Sequence, residues 1–216
     1  YIRSVGDLCW KLKDGKTSCE VLCTEAQDIE NFLKAGRSGS RASVNSQFPP
    51  ANCQYRGTKY PSDRVNAIVN AAKQAGINTK AGYAGVVGNA LVESTTNLDP
   101  AIENKKSGAF GILQWLGSRR TNLEKFARES GRSASDFSTQ MSFFVAELDP
   151  NSPYYDSTSD AAAPGGNLAR AMNSARSPEE AAALFNAAYE RAPGQLEGER
   201  QDFGVEIFSE MDCVAE

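Results

Sequence analysis

The sequence predicts a mainly α fold: a helical bundle carrying a short hairpin or irregular loop region, preceded by a helical N-terminal extension. Three observations predict it. Apolar residues recur at helical spacing in one segment after another between residues 62 and 210. Capping residues such as Ser62, Asp63 and Thr79 open those segments, and glycines such as Gly36 and Gly76 stop them. The length, 216 residues with 40% hydrophobic and 23% charged, suits one domain plus an extension.

The first element is a helix over residues 18–34, where Cys19, Leu22, Cys23, Ala26, Ile29 and Leu33 share a face. Residues 37–52 are rich in Ser, Gly, Arg and Pro and read as a linker or irregular arm. The extension is therefore expected over 1–55 and the main domain over 56–216. Ser62 or Asp63 caps a helix carrying Val65, Ile68, Val69 and Ala72. Thr79 opens a second, with Tyr83, Val86, Val87, Ala90 and Leu91 on its apolar face. The Gly- and Asn-rich stretch 97–111 allows turns or a short hairpin. Further helices are expected at 118–129, 138–148, 166–175, 178–190 and 197–210, with a long surface loop over 149–166.

Composition excludes several chemistries. The chain has no histidine, which removes Ser-His and Cys-His nucleophiles and His-based zinc sites, and with them most wall peptidases. Acid-base work at neutral pH falls to carboxylates, Tyr, Lys or Cys. A net charge of −4 argues against nucleic-acid binding. The apolar stretch 81–92 is interrupted by Asn89 and too short to span a bilayer. A start at Tyr1, without Met or signal peptide, is expected of a processed product or a piece of something larger.

Cys9, Cys19, Cys23 and Cys53 crowd the N-terminal quarter and Cys213 stands near the end. A metal site of four thiolates needs matched pairs, and only Cys19 and Cys23 are spaced as one. Disulfides are the better reading, with pairing open, and they imply an extracellular or envelope location. No cofactor or metal is expected. Charge is uneven: residues 105–132 hold seven cations against two acids, whereas residues 177–216 hold ten acids against two arginines. Such runs are commonly solvated helix faces; the basic one could also flank a cleft for an acidic substrate.

The chemistry concentrates between Ala84 and Trp115. Glu93 falls at the end of a helix, at the edge of an apolar face, where desolvation favours a protonated carboxyl fit to act as general acid. Asn97-Leu98-Asp99-Pro100 is turn chemistry. Gly108 and Gly111 allow close backbone approach to a ligand, Gln114 offers an amide, and Trp115 offers a flat apolar face for a sugar.

Together, Glu93-Ser94, Asn-Leu-Asp-Pro, Gly-x-x-Gly-Ile-Leu-Gln-Trp (108–115) and Arg119-Arg120 resemble the phage tail lysozyme family. The likeness continues through the Gln-x-x-Phe-x-x-x-Glu-Leu pattern of 140–148, through Phe185 to Arg191 with Pro193-Gly194, and to Arg200. It spans about residues 60–210, and residues 1–55 have no part in it. More distantly, the layout is similar to the Glu-Ser, Gly-Leu-Met-Gln and Ala-Tyr-Asn motifs of lytic transglycosylases and goose-type lysozymes.

This resemblance implies a lysozyme-like fold that cleaves the β-1,4 bond between N-acetylmuramic acid and N-acetylglucosamine in peptidoglycan. Glu93 would be the catalytic acid, with Ser94, Gln114, Trp115 and Tyr189 at the glycan. Glu190 stands where the third motif has Asn. An inverting hydrolase would need a second carboxylate, for which Asp99, Glu103 and Glu190 are available, whereas a transglycosylase uses the sugar's own C6 hydroxyl. The alternative is a non-catalytic glycan-binding or structural module of a tail or envelope apparatus. The negative net charge favours delivery to an anionic wall by tethering within a larger protein or particle.

Overall fold

The computed structural model describes residues 51–214; the expected helix at 18–34 and Cys9, Cys19 and Cys23 lie outside the described residues. The described chain begins in β1 (Asn52–Tyr55) and then forms α1 (Ser62–Gln74) and α2 (Lys80–Ser94). A two-residue pairing of β2 (Glu103–Asn104) with β3 (Ala109–Phe110) makes the expected hairpin. α3 (Ser118–Glu129) and α4 (Phe137–Leu148) follow, then the short α5 (Ser157–Ala162) and a 3-10 turn at Pro164–Gly166. α6 (Leu168–Ser174), α7 (Pro178–Phe185), a π-helical turn (Asn186–Glu190), α8 (Glu197–Ser209) and β4 (Met211–Val214) complete it. The fold is mainly α.

Local chemistry explains most of these boundaries. Thr79 caps α2 by accepting a hydrogen bond from the Gly82 N–H at 3.1 Å. Ser177 caps α7 from the Glu180 N–H, and Glu180 returns the bond to the Arg176 N–H, a reciprocal pair that fixes the start. α1 differs from expectation. Neither Ser62 nor Asp63 caps it; Pro61 occupies the cap position and its carbonyl accepts from Arg64 and Val65.

α2 is the axis of the core. The sequence shows it as amphipathic, yet it is buried on nearly every side, from Ala81 through Leu91. Its small residues make this packing work. A Cβ on Gly85 would meet the backbone of Ala181 on α7 at 2.7 Å, and one on Gly88 would meet the Arg200 carbonyl oxygen on α8 at 2.5 Å. With no side chain at either position, α7 and α8 close directly onto α2. α1 supplies Val65, Ile68, Val69 and Ala72 to the same core, and α4 adds Phe143 and Phe144.

One expectation is corrected. The stretch 149–166 is not a bare surface loop: it contains α5, and Tyr154, Ser159 and Ala163 are buried in it. β1 pairs antiparallel with β4, Cys53 opposite Cys213, and these two cysteines form a disulfide. Among the described residues no helix is long and apolar enough to cross a membrane.

Candidate active site

Glu93 occupies the last turn of α2, with its side chain 17% exposed. One turn earlier on the same face lies Asn89, fully buried, whose amide donates to the Gly85 and Ala182 carbonyls. That leaves the Asn89 Oδ1 to accept from Arg200 Nη1 at 2.9 Å, while Arg200 Nη2 reaches Glu93 Oε1 at 2.5 Å. Arg200, 3% exposed, comes from the first turn of α8, and its Nε binds the Gln195 carbonyl. The close approach of α8 to α2 at Gly88 is what brings this guanidinium to Glu93. A charge-assisted bond of this kind holds a carboxylate in one orientation.

The other wall comes from the π-helical turn that extends α7. A π turn shifts side chains relative to α-helical spacing, and here it carries Ala188, Tyr189 and Glu190. Arg191 ends it in a left-handed conformation. Burial, then the charge of Glu93, push the Glu190 carboxyl well above its ordinary range, and Arg119 and Arg200 pull against them. Glu190 Oε1 is buried with no hydrogen-bond partner.

Beneath Glu190 lies a buried polar network. Glu147 on α4, 1% exposed, receives both forks of Arg119 at 2.8 Å, the Trp115 indole N–H at 2.7 Å and the Tyr189 hydroxyl at 2.5 Å. Arg119 also donates to the Tyr189 carbonyl and stacks over its ring at 4.2 Å. One carboxylate thus gathers three donor side chains, from α3, the π turn and the stretch between β3 and α3, the pairing that a buried charge requires. Asp156 adds a flank: burial would raise its pKa, but Arg191 and Arg119 outweigh that and hold it below its ordinary value.

α4 also secures the hairpin region. Gln140 accepts from the Ile112 N–H and donates to the Pro100 and Ala134 carbonyls. Gly111 adopts a φ of 80°, and a Cβ there would strike the Gln140 amide at 2.7 Å. The glycine therefore makes room for a side chain of the protein and not for a ligand, which corrects the expected reason for it.

The sequence over residues 63–211 matches the family model described as phage tail lysozyme. The chain belongs to the phage tail lysozyme family. No curated protein matches it. The matched region runs from α1 to the start of β4 and includes every residue of the site just described.

Of the candidate site residues, the structure brings Glu93 and Glu190 into electrostatic reach of each other. The other two candidate carboxylates have partners of their own. Asp99 is an exposed turn residue whose Oδ1 accepts from the Ala101 N–H, and Glu103 pairs with Arg120 at 2.5 Å on the hairpin. Three of the four expected glycan contacts are corrected by burial. Ser94 donates to the Ala90 carbonyl inside the core, Trp115 packs edge-on against Phe143, and Tyr189 stacks on Phe185 at 4.6 Å. Their polar groups are used internally and their faces are covered. Gln114 alone is half-buried, its amide N–H bonded to the Gly111 carbonyl.

Three non-glycine residues with positive φ flank this region: Thr95 (φ 70°), Gln114 (φ 43°) and Arg191 (φ 59°). They follow Glu93 by two positions, precede Trp115 and follow Glu190, and such strain gathers at functional sites. A polar pocket of about 560 Å³ opens beside Thr95, lined by Pro61, Asp63, Arg64, Asn97 and Asp99. The roles of Asn89, Glu147 and Gln140 had no signal of their own in the sequence; only the order of motifs marked the last two. Among the described residues no group of three or more acids or cysteines could hold a metal ion.

Proposed function

We propose that this chain cleaves the β-1,4 bond between N-acetylmuramic acid and N-acetylglucosamine in peptidoglycan, with Glu93 as the general acid. The observation that carries the reading is a carboxylate at the end of a buried helix, oriented by Arg200 and within electrostatic reach of a second carboxyl. Membership of the phage tail lysozyme family supports the same substrate. Glycoside cleavage needs one group to protonate the leaving oxygen and one to take a proton from the attacking hydroxyl. Glu93 and Glu190 supply that pair, since Asp99 and Glu103 are engaged elsewhere. Gln114 and the polar pocket beside Thr95 would then line the glycan strand.

The family supports a place on a virion tail or at the cell envelope, and the Cys53–Cys213 disulfide is compatible with an oxidising one. With a net charge of −4 on the chain, the 56–216 domain reaches the wall as part of a larger protein or particle.

The test is mass spectrometry of products from purified peptidoglycan, with Glu93→Gln alongside. Products are expected from the wild type and none from the variant. The glutamine keeps a hydrogen bond from Arg200 but removes its counter-charge, so a stability loss of about 1–3 kcal/mol accompanies the change. Ends bearing 1,6-anhydro-muramic acid assign a transglycosylase; reducing muramic ends assign a hydrolase. Undiminished cleavage by Glu93→Gln would remove Glu93 from the role, and no cleavage by folded wild type would leave a glycan-binding module.

A further inference from the structure

α1 and the start of α4 enclose a groove that the candidate catalytic residues do not use. Val65, Ile68, Val69 and Ala72 turn one side of α1 into the core, and the side offset from it faces α4 across a cavity of about 530 Å³. That volume falls within the range of about 300–1,000 Å³ usual for small-molecule sites. Ala67, Ala71 and Met141 form the floor, and the half-buried Phe137 stands at one end. The rims are exposed and neutral: Asn70 and Gln74 one turn apart on α1, Ser138 and Ser142 one turn apart on α4. The side-chain amides of Asn70 and Gln74 have no hydrogen-bond partner among the described residues, and the Ser142 hydroxyl donates to the Ser138 carbonyl at 2.9 Å. In a chain that is 23% charged, the charged groups lining this groove are just Asp63 and Arg64.

Those two residues also line the polar pocket beside Thr95, so the two cavities share a wall. Arg64 is that wall. On one side its Nη1 donates to the Asn97 carbonyl at 2.8 Å and the Leu98 carbonyl at 3.1 Å; on the other its guanidinium stands 5.7 Å from the centre of the Phe137 ring. We propose that the α1–α4 groove is a second glycan site, which holds uncharged N-acetylated sugars of the strand away from the bond that is cleaved. This rests on the peptidoglycan reading above. Peptidoglycan offers two kinds of ligand, and the lining chooses between them. Its stem peptides carry carboxylates and call for free cations, whereas the one guanidinium here is spent on two carbonyls and has Asp63 beside it. Its glycan backbone carries hydroxyls, acetamides and pyranose rings with apolar faces, and no charge. Free amides and serine hydroxyls match the polar groups, and the Phe137 ring and the methyl-lined floor match the apolar faces. A strand lying in the groove continues past Arg64 into the pocket beside Thr95, two positions beyond Glu93. Two sites on one strand reinforce each other, so affinity rises steeply once an oligosaccharide is long enough to reach both.

The experiment is a nitrogen-15 NMR titration of the full chain with the β-1,4-linked dimer and hexamer of N-acetylglucosamine, with Glu93→Gln in place so that no bond is cut. The hexamer is expected to move the backbone signals of residues 67–74 and 137–142 and to bind far more tightly than the dimer. Asn70→Ala/Gln74→Ala removes both free amides at exposed positions, where alanine is the better helix former, so the fold is kept. It should weaken hexamer binding on the order of ten-fold. Binding by a neutral groove should also change by less than about two-fold between low and high salt. With Glu93 restored, the same double variant should raise KM on peptide-free glycan strands on the order of ten-fold with little change in kcat, because the groove touches no reacting atom. Groove signals unmoved by the hexamer, or a double variant that binds it as tightly as its parent, overturn the proposal. So does a groove that responds to a free stem peptide and not to the hexamer. Hexamer in the groove without any cleavage of peptidoglycan by wild type overturns the glycosidase reading and upholds the glycan site; cleavage with a silent groove overturns the site alone.

Discussion

Burying Glu190 costs stability in a way that depends on pH. Its folded-state pKa lies well above the ordinary 4.5, so above that pH the unfolded chain has released a proton that the folded chain keeps. The folded state binds more protons than the unfolded state there, and stability falls as pH rises from about 4.5 towards the folded pKa, by about 1.4 kcal/mol per unit. Glu190→Gln has no proton to lose. Its melting temperature relative to wild type is therefore expected to climb as pH rises above about 4.5, measured by calorimetry at constant ionic strength. A difference that stays flat would mean that Glu190 ionises as an exposed glutamate does. At this scale the sequence was half legible. Glu93 could be found because a Glu-Ser pair ends an apolar helix, whereas Glu190 was only one of three acids, since nothing in its neighbours announces a π turn. Trp115 and Tyr189 have the composition of a sugar platform; what decides against it is Glu147, 32 and 42 residues away, which draws both polar tips inward.

At the scale of elements, the glycines of α2 control both packing and the site. Gly88 admits α8, whose Arg200 carbonyl stands 2.5 Å from where a Cβ would be, and the guanidinium of that same residue orients Glu93. Gly88→Ala gains about 1 kcal/mol of helix propensity but must push α8 away, and overpacking of this kind costs about 1–3 kcal/mol. The variant is expected to be destabilised overall and to lose activity disproportionately, because α8 carries Arg200 with it. Gly198→Ala is the control: it lies in the first turn of α8, where a Cβ would meet nothing within 4 Å, and it should be neutral or slightly stabilising. Denaturant melts and turnover of the two variants check this; equal behaviour would show that the contact at Gly88 yields easily. The long helices were legible because an apolar pattern at helical spacing runs over 12 or more residues, as in α3 and α4. β1 and β4 were not. Four-residue strands have too little pattern to stand out, and their partners lie at opposite ends of the domain. α5, six residues long, was lost in a stretch of Ser, Asp and Pro for the same reason.

Across the whole molecule, β1 and β4 are fastened by the Cys53–Cys213 disulfide, which spans a sequence separation of 160. Between those cysteines lie all eight α-helices of the described residues and every group of the candidate site. A cross-link around a loop this long removes much of the freedom of the unfolded chain; chain entropy alone gives about 5 kcal/mol, and measured values run from about 2 to 5. The link also keeps β1 in place, where Tyr55 enters the core and the Ala51 carbonyl accepts from the Tyr83 hydroxyl. A double Cys53→Ser/Cys213→Ser variant isolates the effect better than a reductant, since Cys9, Cys19 and Cys23 keep their state. Its melting temperature is expected to fall by about 4–20 °C, at about 2–4 °C per kcal/mol for a domain of this size. Turnover at 25 °C should persist, because Glu93, Arg200 and Glu190 are held by α2, α8 and the π turn and not by the sheet. Calorimetry paired with a cleavage assay separates the two effects. Activity lost along with stability would place the terminal sheet in the support of the site, by way of the short step from α8 into β4.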